Sequence, residues 1–298
     1  MWKPVSLPYK SDSFPLPAIP TVAEIRACTN VLWDGAHRIV ALNDDVIVKY
    51  DGGLDATEGQ NLIYLGRYAP KVPAPRLYAM FDEDGKTYLI MQRIPGVPLD
   101  SIWESLTDSE KNGVTAKLIP VFDAMREAEC PWPDFYGGLD GGRVHHWLFY
   151  SQKKWDFRFL GPYYGEEAFI AGMLQNFRVS IERCERPDFK ACFYEKYLPQ
   201  VLRGHRPTLT HSDFHQKNIL VIENPRQNDQ GERSFEVVLI DWEDAGWYPD
   251  FWEFFMASDR NVFSFCDEDW FWHMQQFLEV WPAELGVMRL FEQDMRGY

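Results

Sequence analysis

The sequence predicts an α+β chain in two lobes: a small antiparallel sheet with one helix, then a larger and mainly helical part. Short β-branched runs, "HRIVAL" and "DVIVKY", and a pair of apolar runs around an Asp-Gly turn, "RLYAMFDEDGKTYLIMQRI", all fall before residue 95. Beyond "PGVPL" the apolar residues recur at helical spacing instead. The 298 residues, 46% hydrophobic and 16% aromatic, suffice to bury one large core or two smaller ones.

In chain order, a proline-punctuated lead, "MWKPVSLPYKSDSFPLPAIP", opens an N-terminal extension over residues 1–29, and residues 30–95 make the first lobe. Asn43, Asp44 and Asp45 separate "HRIVAL" from "DVIVKY", which predicts a hairpin. Over residues 55–69, Leu62, Leu65 and Ala69 share one helical face, and Glu58 lies one turn before Leu62 on that side. This helix therefore docks on the hairpin with Glu58 turned inward. "PKVPAP" ends it, and the strands around Asp84 and Gly85 complete the sheet. Residues 96–298 make the second lobe. "PGVPL" reads as a hinge, because two prolines and a glycine interrupt both periodicities. A helix follows, with Leu118, Val121, Phe122 and Met125 on one face and Thr107 and Glu110 spaced as a capping box. An irregular aromatic segment over 131–164 precedes helical stretches around 165–177 and 188–203. Last come the strands "LTH", "NILVIE" and "FEVVLIDWED", the latter two joined by a polar turn over 224–234.

The formal charge of −15 argues against nucleic acid, whose phosphates require a basic face. Residues 241–298 hold thirteen acids, Asp267, Glu268 and Asp269 among them, against three bases. That run is either a solubilising surface or a field that attracts cations. Five cysteines, Cys28, Cys130, Cys184, Cys192 and Cys266, are odd in number and lack a CxxC, so free thiols are expected rather than a disulfide framework or a zinc cluster. No apolar run is long enough to span a bilayer, and the lead lacks a signal core. A soluble, cytoplasmic protein is expected, of open oligomeric state.

The chemistry is concentrated in "TLTHSDFHQKNILVIE" and the strand after it. Asp213, Asn218 five residues on, and Asp241 closing the next strand are what metal-assisted phosphoryl transfer requires. One carboxylate orients the attacking hydroxyl and takes its proton, while a second carboxylate and an amide oxygen hold Mg²⁺ on the phosphates. The H-x-D-x-x-x-x-N run from His211 to Asn218 and the Ile240-Asp241-Trp242-Glu243 run resemble the aminoglycoside phosphotransferase and choline kinase family, which has a kinase-like fold. "VPAP", "IPG" and the "DGG" segment are closest to fungal members of unknown substrate.

The resemblance, over residues 30–260, implies a fold and a set of roles. ATP and Mg²⁺ are the implied cofactors, Asp213 the catalytic base, and Asn218 and Asp241 the metal ligands. Lys49, in "VIVK", resembles the lysine that binds the α and β phosphates, and Glu58 its helix partner. The adenine is expected against the linker after Met91-Gln92-Arg93-Ile94, with Gln92 and Ile94 as contacts. The implied acceptor is a hydroxyl of a small molecule, with amine-bearing, cationic alcohols and aminoglycosides among the candidates. Two features depart from the relatives with kinase-like folds. "NVLWDGAHRI" has only Gly35 where protein kinases place three glycines, and no Ala-Pro-Glu follows Asp241, which disfavours a protein substrate. Two other readings stay open: a catalytically silent nucleotide-binding module, and a metal-dependent hydrolase that uses His211, Asp213 and His215.

Overall fold

Residues 2–149, 160–226, 231–259 and 268–297 are described by a computed structural model. Cys266 and Asp267, with parts of the 131–164 segment and of the 224–234 turn, lie outside them. The chain divides into two compact units, one built from Trp2–Lys117 and Gln216–Glu243, the other from Leu118–His215 and Asp244–Tyr298.

The first unit is founded on alternation. In strand β4 (Val46–Asp51), Val46, Val48 and Tyr50 point to one side and join Ile25, Val40, Tyr78, Tyr88 and Ile90 in a buried cluster. Burying each such valine contributes about 1.5–3 kcal/mol. β4 pairs antiparallel with β3 (Arg38–Ala41) and with β6 (Lys86–Gln92). With β1 (Tyr9–Lys10), β2 (Val31–Asp34) and β5 (Leu77–Glu83) they form a six-stranded sheet ordered β1-β5-β6-β4-β3-β2. Between β5 and β6, Asp84 and Gly85 both have positive φ, 51° and 69°, the geometry that an Asp-Gly hairpin turn supplies. The proline-rich lead is drawn in: Tyr9 pairs with Met80, Trp2 is buried, and helix α1 (Val22–Ala27) inserts Ile25 into the cluster.

Helix α2 (Thr57–Tyr68) lies on the other face of this sheet. It approaches so closely that a Cβ on Gly59 would stand 2.7 Å from Met80 Sδ, so a larger residue there would require Met80 to shift. Lys49 faces α2, because it is out of phase with Val48 and Tyr50 along β4 and is paired with Leu89, which also flanks Gly59. A second, three-stranded sheet is ordered β12-β11-β7, from β7 (Val97–Pro98), β11 (Ile219–Glu223) and β12 (Phe235–Leu239). The "PGVPL" segment, expected as a hinge, thus forms a short edge strand, a place in a sheet where proline is tolerated.

Helix α3 (Asp108–Glu127) begins with the predicted capping box: Thr107 N donates to Glu110 Oε2 at 2.9 Å and Glu110 N to Thr107 Oγ1 at 3.2 Å. In the second unit β10 (Pro207–Thr210) pairs with β13 (Gly246–Pro249), and β8 (Phe135–Gly138) and β9 (Tyr163–Tyr164) extend that sheet. β10 and β11 therefore belong to different sheets, although eight residues separate them. Helices α4 (Glu166–Arg183), α5 (Phe189–Val201), α6 (Trp252–Asp259), α7 (Glu268–Met274) and α8 (Pro282–Arg296) supply the helical mass. Phe169, Phe177, Tyr194, Tyr248, Trp252 and Phe291 centre their core.

Candidate active site

In the first unit, one lysine gathers three carboxylates. β4 delivers Lys49 from beneath α2, and its Nζ lies 2.8 Å from Glu58 Oε2, 2.9 Å from Asp241 Oδ1 and 3.1 Å from Glu243 Oε2. Lys49 and Glu58 side chains are each 5% exposed, whereas Asp241 and Glu243 are 32% and 41% exposed. The cluster is thus buried on the helix side and open on the other. Burial alone would lower the Lys49 pKa, yet Glu58, Asp241 and Glu243 together overcome that and raise it, so the ammonium stays charged. Glu58 has its pKa raised by burial, which the attraction of Lys49 only partly offsets and the other two carboxylates reinforce. Three acids share one base, which is a setting for a cation.

The turn that carries two of those acids is held from α2. Asn61 Nδ2 donates to Trp242 O at 2.7 Å, and the Trp242 indole donates to Leu239 O at 2.8 Å. Asp241 has a φ of 65°, a left-handed conformation that costs an L-residue energy and is concentrated at functional sites. Pairing of Ile219 with Leu239, and the bond from Ile240 N to Asn218 O at 2.9 Å, bring Asn218 to the same end of the β11–β12 hairpin as Asp241. Oxygens from Glu58, Asp241 and Glu243 lie within 4.8 Å of one another, and hard oxygen donors of this kind suit Mg²⁺. Of the two ligands the sequence implies for Mg²⁺, Asp241 belongs to this group. Gln92 and Ile94 are placed apart from the cluster, at the end of β6: Gln92 pairs with Val46, three rungs from the Lys49–Leu89 pair. The Gln92 side-chain oxygen accepts from Arg76 N at 3.4 Å, and Ile94 is half-buried in the following linker.

In the second unit, Asp213 follows β10 on a loop clamped by a buried glutamate. Glu253, from the first turn of α6, accepts from His211 N at 2.5 Å and also from the Ser212 amide. Ser212 has a φ of 67°, and its Oγ accepts from the Trp252 indole at 3.2 Å. Burial pushes the Glu253 carboxyl up to about 8 against the lowering effect of those amides, and Asp213 adds to the rise. His211 Nδ1 accepts from Asp213 N at 3.3 Å, so this ring braces the loop, and His215 Nε2 lies 3.5 Å from Asp213 Oδ2. Among the described residues the three-ligand grouping is the one around Glu58, not His211, Asp213 and His215. Asp213 opens onto a cavity of 320 Å³ lined also by His146, Trp147, His215, Asp244 and Arg296.

Sequence reasoning left Glu253 and His37 without a role and quoted Glu243 only as part of a motif. Glu253 had a signal, an acid inside the apolar run "DFWEFF" at the start of a helix. His37 had none, since its place depends on a hairpin returning to a turn two hundred residues later.

The sequence model of the phosphotransferase enzyme family matches residues 56–281. No curated protein matches the chain. Among solved structures, a thermostable mutant of aminoglycoside phosphotransferase APH(4)-Ia, in ternary complex with AMP-PNP and hygromycin B, is similar at 18% identity with a TM-score of 0.50. That likeness covers 90% of this chain and 86% of the other. The streptomycin–ATP complex of APH(2")-IIa is similar at 15% identity and a TM-score of 0.52, over 90% of this chain and 85% of that one. At such identities the likeness is one of fold.

Proposed function

Because the chain belongs to the phosphotransferase enzyme family, we propose that it moves the γ-phosphate of ATP to a hydroxyl of a small molecule. The observation that carries this is the buried Lys49, held charged against Glu58 while Asp241 and Glu243 face outward from the same cluster. Lys49 binds the α and β phosphates and Glu58 fixes its position. Asn218 and Asp241 hold Mg²⁺, with Glu243 as a third oxygen donor; when bound, the ion neutralises charge on the phosphates. Gln92 and Ile94 contact the adenine. Asp213 accepts a hydrogen bond from the acceptor hydroxyl and takes its proton as the bond to phosphorus forms, and Glu253 keeps the Asp213 loop in register.

The cavity beside Asp213 is the acceptor site in this reading. With Arg296 on the same lining already paired with Glu292 at 2.6 Å, the carboxylates of Asp213 and Asp244 favour an acceptor bearing an amine, as the aminoglycosides in the names of the similar structures do. Trp247, Trp252 and Trp270, which lie in the acidic C-terminal region and could offer cation–π contacts, are fully buried core residues, whereas Trp272 is exposed. The selection of a cation therefore rests on charge. A silent nucleotide-binding module is the competing outcome. The deciding experiment is an ADP-release screen over amino-alcohol, aminoglycoside and metabolite libraries, with the phosphorylated product identified by mass. Nucleotide binding without turnover on any acceptor would leave the silent module.

A further inference from the structure

The β2–β3 hairpin is poor in glycine. A Cβ on Gly35 would stand 2.6 Å from the indole nitrogen of the exposed Trp33, which folds back over the turn. At the tip, Gly35 N donates to His37 O at 3.1 Å, which fixes the residue that follows the turn. His37 Nε2 lies 3.5 Å from Glu243 Oε2, the same oxygen that lies 3.1 Å from Lys49 Nζ. One carboxylate oxygen therefore lies between two side-chain nitrogens, one from the β2–β3 turn and one from the middle of β4. The other ring nitrogen, His37 Nδ1, is buried without a hydrogen-bond partner, so the ring's polar contact in this structure is made through Nε2. Side-chain exposures of 23% for His37 and 41% for Glu243 leave the position open to a solute, unlike that of Glu58.

Two donors converging on an anionic oxygen are what a phosphate oxygen requires. We propose that His37 is a nucleotide-phosphate ligand of this chain, and that the Glu243 carboxylate occupies the phosphate's place until nucleotide displaces it. This rests on the nucleotide reading above and names a residue that the reading does not contain. It accounts for phosphate recognition by a hairpin with few glycines: a side-chain donor stands in for backbone amides.

The test is calorimetric titration of the full chain with ADP, ATP and adenosine in EDTA, for wild type, His37→Ala, His37→Gln and Glu243→Gln, each checked for an unchanged thermal melt. His37→Ala is expected to weaken ADP and ATP about tenfold or more and leave adenosine unchanged, since a hydrogen bond to a charged group is lost. His37→Gln, which keeps a donor near Nε2, restores most of that affinity. Glu243→Gln is expected to tighten metal-free ADP, because the competing anion is gone. Equal ADP affinity in wild type and His37→Ala overturns the inference and leaves the phosphotransferase reading standing. An equal loss for adenosine and ADP also overturns it, as an effect on the fold. Should wild type bind none of the three, the nucleotide reading falls and this inference with it.

Discussion

Asp213 and Lys49 are expected to fail in different ways when replaced, because one acts on the acceptor and the other on the nucleotide. Asp213→Asn keeps the shape of the side chain but cannot take a proton. Turnover should fall by about 10²- to 10⁴-fold with ATP affinity nearly intact, measured by steady-state kinetics beside nucleotide titration. Turnover within a few-fold of wild type would remove Asp213 from the proposed chemistry. Asp241→Ala should weaken ATP in the presence of Mg²⁺ and affect metal-free ATP much less. Lys49→Ala should weaken both, and Lys49→Met, which keeps more of the buried bulk, should do the same. Identical losses for the aspartate and lysine variants in both conditions would show that the division of roles is wrong. Removing Lys49 also leaves Glu58 buried without its partner, at a cost of about 3–5 kcal/mol in stability. A lower melting temperature is therefore part of the expected phenotype.

Two elements set the geometry of the candidate site, and each does so through buried polar side chains. α2 holds Glu58 against Lys49 and uses Asn61 to pin the Trp242 backbone, so the helix positions both the lysine and the Asp241 turn. α6 does the equivalent for Asp213 by presenting Glu253 to the His211 and Ser212 amides. The raised pKa of Glu253 makes this clamp sensitive to pH. The folded state holds the proton up to about pH 8, whereas the unfolded chain releases it near pH 4.5, so between those values the unfolded state binds fewer protons. Stability contributed by this group is full below pH 4.5 and declines as pH rises toward 8. Glu253→Gln, which stays neutral, should flatten that decline in urea unfolding series at pH 5, 6.5 and 8. A variant whose stability falls with pH as steeply as wild type would show that another group carries the dependence.

Across the whole molecule the dominant physical fact is charge: −15 overall, with thirteen acids against three bases in residues 241–298. Among the described residues no helix is long and apolar enough to cross a membrane. An acidic field concentrates cations, and salt screens it as the Debye length falls from about 10 Å at 0.1 M to about 3 Å at 1 M. With an amine-bearing acceptor, KM for the acceptor should rise across that range more steeply than KM for ATP, as initial-rate measurements at fixed pH would show. An acceptor KM indifferent to salt would mean that the acidity serves the surface alone.

Local pattern determined a good deal of this protein. β-branched and apolar runs marked β3, β4, β5 and β6, Asp84-Gly85 marked the β5–β6 hairpin, and the spacing of Glu58 to Leu62 and Leu65 turned that acid inward. These are legible because strand and helix periods are set by residues a few positions apart. The motif runs around Asp213 and Asp241 pointed to a phosphotransferase for the same reason, since spacing within a loop is written in order. Only tertiary structure decided what meets across long separations. Lys49 meets Glu243 across 194 residues, Glu253 reaches His211 across 42, and the proline-rich lead joins the sheet through Tyr9 and Met80. The pattern within each segment says which face is buried, but not which distant segment covers it, because burial is non-directional and many partners satisfy it. Directional hydrogen bonds and charge, acting once the backbone has brought the groups within about 3 Å, make that choice.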